Sequence, residues 1–173
     1  MADAARYSVI ELFRDGRRVE IRAVRSGDWD GLAKAVDRAS ADTLRRRFFA
    51  VRRHFSEREI AFFSDVDFVS HVALVAVVEE GGRPVIAGGG RYIVVQPGLA
   101  EIAFALLDEY QGQGLGTVLM RHLTAIAREA GLHELIAEVL AENTPMLKVF
   151  EKSGLRLTRK RERDVVHIRL QLS

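Results

Sequence analysis

Cysteine is absent from these 173 residues. That excludes a disulfide framework, a zinc–thiolate site and a cysteine nucleophile. Lysine is scarce, occurring only at Lys34, Lys148, Lys152 and Lys160, so the positive charge is almost all arginine. The net charge is only +2, too small an excess for a general nucleic-acid binder. Local runs at Arg45-Arg46-Arg47, Arg52-Arg53 and Arg159-Lys160-Arg161 do not change this, because the interleaved Phe48 and Phe49 read as core rather than a base-stacking platform. No apolar run is long enough to span a membrane, and Met1 to Arg6 has no apolar signal core, so a soluble cytoplasmic protein is expected. Repeats, low-complexity tracts and Pro/Gly-rich linkers are also missing. A single domain is expected over residues 1–173, with 1–6 as a flexible N-terminus. The histidines at 54, 71, 122, 133 and 167 show no ligand spacing, so no metal is expected; of these His71, just before a strand, is the one worth testing.

What is present reads as alternating strands and helices. Ser8 to Phe13 and Arg18 to Val24 alternate around Asp15-Gly16, a hairpin signal. Asp28 is placed to cap a helix over Asp30 to Ala39, and Ser56-Glu57-Arg58-Glu59 resembles a capping box for a helix through Phe63. Val72 to Glu79 and Val85 to Val95 read as a second hairpin. Ala100 to Leu107 is the next strand, followed by a long helix over Gly114 to Ala130. His133 to Leu140 is a strand, Thr144 to Lys152 a helix ended by Gly154, and Leu155 to Arg161 with Val165 to Leu172 the closing strand pair. This order implies a mixed α/β fold with a mostly antiparallel sheet flanked by helices.

Between strand and long helix stands Gln111-Gly112-Gln113-Gly114-Leu115-Gly116. Glycines at alternate positions let the backbone approach a ligand closely, and N–H groups at a helix start favour an anion such as a pyrophosphate. A Walker A loop needs Gly-Lys-Ser/Thr, whereas Gly116 is followed by Thr117-Val118. A Rossmann fingerprint would need its third glycine at Thr117. Glu138 lies at about the ~20-residue distance of a ribose-binding acid, but such fingerprints follow the first strand of their domain, so NAD ranks second.

The pattern Q/R-x-x-G-x-G/A fits Gln111, Gly114 and Gly116 without adjustment. Together with Ala100-Glu101-Ile102, Asn143 and Val149-Phe150-Glu151-Lys152-Ser153-Gly154-Leu155, it resembles the GNAT superfamily of acyl-CoA-dependent N-acyltransferases. The resemblance runs from the Arg22 strand to the last hairpin. Thr43 to Phe49 and Asp67 to Ala76 resemble the acyltransferase domain of bacterial protein lysine acetyltransferases, the Pat group, where that domain is commonly fused to a cyclic-nucleotide-binding or acyl-CoA-synthetase-like region. These 173 residues have no room for either.

The resemblance implies acetyl-CoA as acyl donor, contacted by Gln111, Gly112, Gln113, Gly114, Leu115, Gly116 and Thr117. It also implies that backbone near Leu106 holds the pantetheine and polarises the thioester carbonyl, an oxyanion-hole role needing no particular side chain. Asn143, placed to cap the last helix, would add a contact to the pantetheine arm. Glu101 is the one acid in an otherwise apolar strand, sharing a face with Ala103, Ala105 and Leu107, and is the candidate general base. Its bland alternative is an ion pair with Arg91 on the neighbouring strand. At Phe150 many family members have Tyr as the general acid, and phenylalanine has no proton to give. A thiol with a pKa of ~8.5 already leaves fairly well, and Tyr110 is a poor substitute that reads as packed at its turn. With no nucleophile available, direct transfer in a ternary complex is expected. By family analogy, segments 29–37 and 56–63 and the Arg161–Asp164 turn frame the acceptor cleft, with Asp65 and Asp67 as nearby acids. The expected acceptor is a protein lysine, with a small-molecule amine as the alternative; a non-catalytic acyl-CoA-binding module is the reading from a different class.

Overall fold

Runs of β-branched and aromatic residues broken by short polar or glycine turns fold back on themselves as antiparallel hairpins. The computed structural model describes residues 3–13, 15–28, 31, 32, 34 and 66–173. Its strands are β1 (Ser8–Leu12), β2 (Arg18–Ala23), β3 (His71–Glu80), β4 (Arg83–Gln96), β5 (Leu99–Leu106), β6 (Glu134–Leu140), β7 (Arg156–Glu162) and β8 (Val165–Gln171). They form one sheet in the order β1-β2-β3-β4-β5-β6-β8-β7. Neighbours run antiparallel except β5 and β6. A parallel pair needs a crossover, and helix α1 (Leu115–Glu129) supplies it. Helix α2 (Thr144–Glu151) connects β6 to β7. The mixed, mostly antiparallel α/β architecture is thus the one expected.

Of the expected helix over Asp30 to Ala39, only 31, 32 and 34 are described, and they are helical. Ser56 to Phe63 and Asp65 lie outside the described residues. The Asp28 carboxylate accepts two hydrogen bonds from Arg22 at 2.8 Å and one from the Arg25 N–H at 2.7 Å. Within the N-terminal six residues, Ala4–Arg6 forms a 3-10 turn whose Ala5 N–H is capped by Asp3.

Helix α1 buries Leu115, Leu119, Met120, Leu123, Ile126 and Ala127, a stripe at helical spacing, against Ile102, Phe104, Leu135 and Leu170 of the sheet. Gly90, in the run Gly88-Gly89-Gly90 of β4, is what lets these layers close up. A Cβ at Gly90 would stand 2.6 Å from the Phe104 ring and 2.9 Å from Leu123.

A bulge at Ala87 shifts the β3–β4 register, and Gly88 just beyond it pairs with Leu106. Bulges add twist. At this level β5 has already left β6: their pairing covers only Leu99–Glu134, Ala100–Leu135 and Glu101–Ile136. From Ile102 onward the two strands diverge, and a gap opens between them.

Candidate active site

The diverging strands enclose a cleft of about 440 Å³, walled by Ile102 to Leu106 of β5, Ala137 to Val139 of β6, and Met146, Val149 and Phe150 of α2. The start of α1 forms its mouth, with Gln111, Gly112, Gly114, Leu115, Gly116 and Thr117 all lining it. Because β6 no longer pairs with β5 there, backbone groups on that edge of β5 face the cleft instead of a ladder partner.

The glycines differ in what they do. Gly112 and Gly114 have φ of +74° and +87°, and a Cβ on either would touch nothing, so their backbone conformation is the reason for glycine. Gly116 is helical; its missing Cβ would stand 3.1 Å from Val149 Cγ2 and 3.6 Å from Leu106 Cδ1, so it sets the spacing between α1, α2 and β5. Leu115 is buried in the core, which leaves only its backbone to meet a ligand. Thr117 is exposed at the rim. Leu106 lines the cleft and its carbonyl accepts from Gln111 Nε2 at 3.1 Å, so Gln111 ties the loop to the strand.

Gln113 does not line the cleft. Its Nε2 donates to the Glu109 carbonyl at 2.6 Å and its Oε1 accepts from Arg17. Its side-chain amide thus clips the loop to itself and to the β1–β2 turn. Tyr110 packs at its turn as read from the sequence: it is buried and its hydroxyl donates to Glu80 at 2.5 Å.

Asn143 is the N-cap of α2. It is buried, its Oδ1 accepts from the Met146 N–H at 3.3 Å, and the residue also lines the cleft. Phe150 is buried against Phe104, ring centroids 6.0 Å apart, in the cleft wall.

Glu101 sits on the opposite side of the sheet from α1, exposed, at the last paired position before the strands part. It borders a second cavity of about 350 Å³ with Ile136, Glu138, Thr158, Lys160, His167 and Arg169. Ala137 and Glu138 of β6 border both cavities. The Glu101–Arg91 pair that stood as the alternative to the base does not form among the described residues. Arg91 Nη1 lies 2.9 Å from His71 Nε2 instead, one register step along from Ile93, which pairs with Glu101. An arginine only donates, so His71 accepts through Nε2 and is neutral; burial, then the Arg91 charge, push its pKa down to about 4. Asp67 holds the turn before β3 by accepting from Ser70 Oγ at 2.6 Å and from the N–H groups of Val69, Ser70 and His71 at 2.9 Å. These bonds hold its carboxyl far below the usual range. Its oxygens are thus committed to the turn. No metal-binding cluster occurs among the described residues.

Sequence reasoning missed Arg17, Glu80 and Gly88-Gly89-Gly90. The glycine run carried a readable signal, since glycines inside a strand mark close approach. The Arg17–Gln113 and Glu80–Tyr110 bonds carried none, because each joins residues far apart in the chain.

A cleft between diverging parallel strands, opening on a glycine-rich helix start, agrees with the comparisons. The model of the Acetyltransferase (GNAT) family matches residues 41–155. The chain belongs to the GNAT acetyltransferase family. An acetyltransferase of Pseudomonas aeruginosa is 34% identical over 138 residues, covering 79% of this chain and 74% of that protein. Acetyltransferase Pat of Mycolicibacterium smegmatis is 32% identical over 145 residues; the match covers 82% of this chain but only 42% of Pat. The crystal structure of the GNAT domain of S. lividans PAT superposes with a TM-score of 0.84 at 31% identity, covering 95% of this chain and 96% of that one. NAD, the second-ranked ligand, does not suit this GNAT architecture, in which the glycine loop follows the fifth strand of a mostly antiparallel sheet.

Proposed function

We propose that this chain transfers an acetyl group from acetyl-CoA to an amine, most naturally a protein lysine, with Glu101 as general base. The observation that carries the reading is that two cavities share Ala137 and Glu138 of β6 beside the strand split, one suited to the donor and one bordered by Glu101. The donor's diphosphate meets N–H groups at the start of α1, where the helix dipole favours negative charge. Its pantetheine arm runs along the β5 edge that β6 has released.

The amine enters from the Glu101 side; Arg159, Lys160 and Arg169, which also border this cavity, are paired with Glu151, Glu162 and Glu134, and Glu101 and Glu138 offer carboxylates to a cation. A lysine ammonium has a reference pKa of ~10.4 and must lose a proton before attack. Glu101 takes it, directly or through one water. The nitrogen then bonds to the thioester carbonyl carbon, β5 backbone steadies the oxyanion, and the C–S bond breaks to release CoA. Phe150 gives no proton and the Tyr110 hydroxyl is committed to Glu80, so the thiolate is protonated by water or by the proton taken from the amine. Without cysteine, no thiol-bound intermediate forms.

The likeness of Thr43 to Phe49 and Asp67 to Ala76 to the Pat group supports lysine as acceptor. A small amine remains the competing substrate, and side-by-side acetylation of a lysine peptide and a polyamine, read by mass spectrometry, separates them. The base is tested by Glu101→Gln. Loss of kcat by about 10²- to 10⁴-fold, with the acetyl-CoA Kd unchanged by calorimetry, is the expected result. Full turnover in that variant removes Glu101 from the mechanism.

A further inference from the structure

Gly112 and Gly114 give the anion loop the backbone freedom it needs, and that freedom has a cost: a loop flanked by glycines must be ordered before its N–H groups converge on a ligand. The structure holds it from outside. Gln113, between the two glycines, is bonded through both ends of its amide, to the Glu109 carbonyl and to the Arg17 guanidinium. Arg17 belongs to the turn joining β1 and β2 and is 96 residues from Gln113 in the chain. Its own position is set twice more. Its Nε pairs with Asp15 Oδ2 at 2.6 Å, and its guanidinium carbon lies 5.9 Å from the centre of the Tyr110 ring. Tyr110 is in turn held by Glu80 at the end of β3. Two hairpin ends thus converge on one loop.

We propose that Arg17 is a positioning residue for the donor's diphosphate: by gripping Gln113 it keeps the Gly112–Gly114 backbone in its anion-receiving conformation before the donor arrives. The inference rests on acetyl-CoA being the donor. It assigns a role to the β1–β2 turn, which touches neither cavity. Lysine has the charge of arginine but not its planar fork, so it cannot brace the Gln113 amide and the Asp15 carboxylate together.

The test compares wild type with Arg17→Ala, Arg17→Lys and Gln113→Ala, using acetyl-CoA and acetyl-pantetheine, a donor without the diphosphate. In Arg17→Ala the KM for acetyl-CoA should rise about tenfold, the scale of one charge-assisted hydrogen bond. The kcat and the acceptor KM should hold, and acetyl-pantetheine kinetics should match wild type. Arg17→Lys should stay impaired, and Arg17→Ala/Gln113→Ala should be no worse than the stronger single variant. An unchanged acetyl-CoA KM, an equal loss with acetyl-pantetheine, or full rescue by lysine each overturns the proposal. Failure of the donor reading looks different: wild type itself would not saturate with acetyl-CoA.

Discussion

Three glycines at alternate positions look interchangeable in the sequence, yet substitution should separate them. Gly114 has φ of +87° and open space where a Cβ would sit, so alanine meets no clash and only backbone strain. That strain is worth roughly 1–2 kcal/mol, and each kcal/mol lowers Tm by about 2–4 °C in a chain of this size. Gly114→Ala should therefore melt a few degrees lower and bind acetyl-CoA more weakly, since the displaced residue is the N-cap of α1. Gly116 is the reverse case. Alanine gains about 1 kcal/mol of helix propensity over glycine, against a 3.1 Å approach to Val149 that a small shift relieves. Gly116→Ala should hold its Tm while raising the acetyl-CoA KM, because its methyl enters the cleft wall. Thermal melts with donor kinetics on both variants decide the matter; parallel losses in both would show that the two glycines share one role.

At the scale of elements, α2 has eight residues and little propensity to stand alone, so its cap matters. Asn143→Ala removes the bond to the Met146 N–H and should cost about 1 kcal/mol, loosening the wall built from Met146, Val149 and Phe150. Asn143→Asp keeps an N-cap acceptor but replaces the amide N–H₂. A normal Tm with weakened donor binding in the aspartate variant would reveal a direct amide contact; wild-type affinity would leave Asn143 as a cap alone. This element was legible beforehand because its signals are local: Asn143 as cap, Pro145 in the first turn, Gly154 after the end. The hairpins were legible for the same reason, and their bounds differ from the expected ones by a residue or so. What local signals do not carry is pairing across the chain. Glu101 was recognisable as an acid on an apolar strand, but its place beside the β5–β6 split depends on where pairing stops. The Arg17–Gln113 clip depends on a hairpin reaching a loop far along the chain, and the Arg91–His71 bond depends on the register of β3 against β4.

Across the whole molecule, the sheet face bearing Glu101 carries a titrating group, His71. His71 pairs with Ile93, and Ile93 with Glu101, so cross-strand order puts all three on one face, with Arg91 a row away. The His71 pKa is pushed down to about 4 by burial and by Arg91, from an ordinary value near 6.5. The fold thus favours the neutral imidazole. Above pH 6.5 neither folded nor unfolded chain holds the proton, and the full stability is present. As pH falls from 6.5 towards 4, the unfolded chain gains a proton that the folded chain refuses, and stability is lost by about 3 kcal/mol in all. The depressed carboxyls of Asp28 and Asp67 act lower, where acid begins to protonate them: burial alone would raise Asp28, but its bonds to Arg22 and Arg25 prevail. Among the described residues, the His71 shift is the one that acts between pH 6.5 and 4.5. Urea unfolding across that window should show the decline in wild type, and His71→Gln, which keeps an acceptor for Arg91 but cannot titrate, should flatten it. An unchanged slope in His71→Gln would move the origin of the pH dependence away from this face of the sheet.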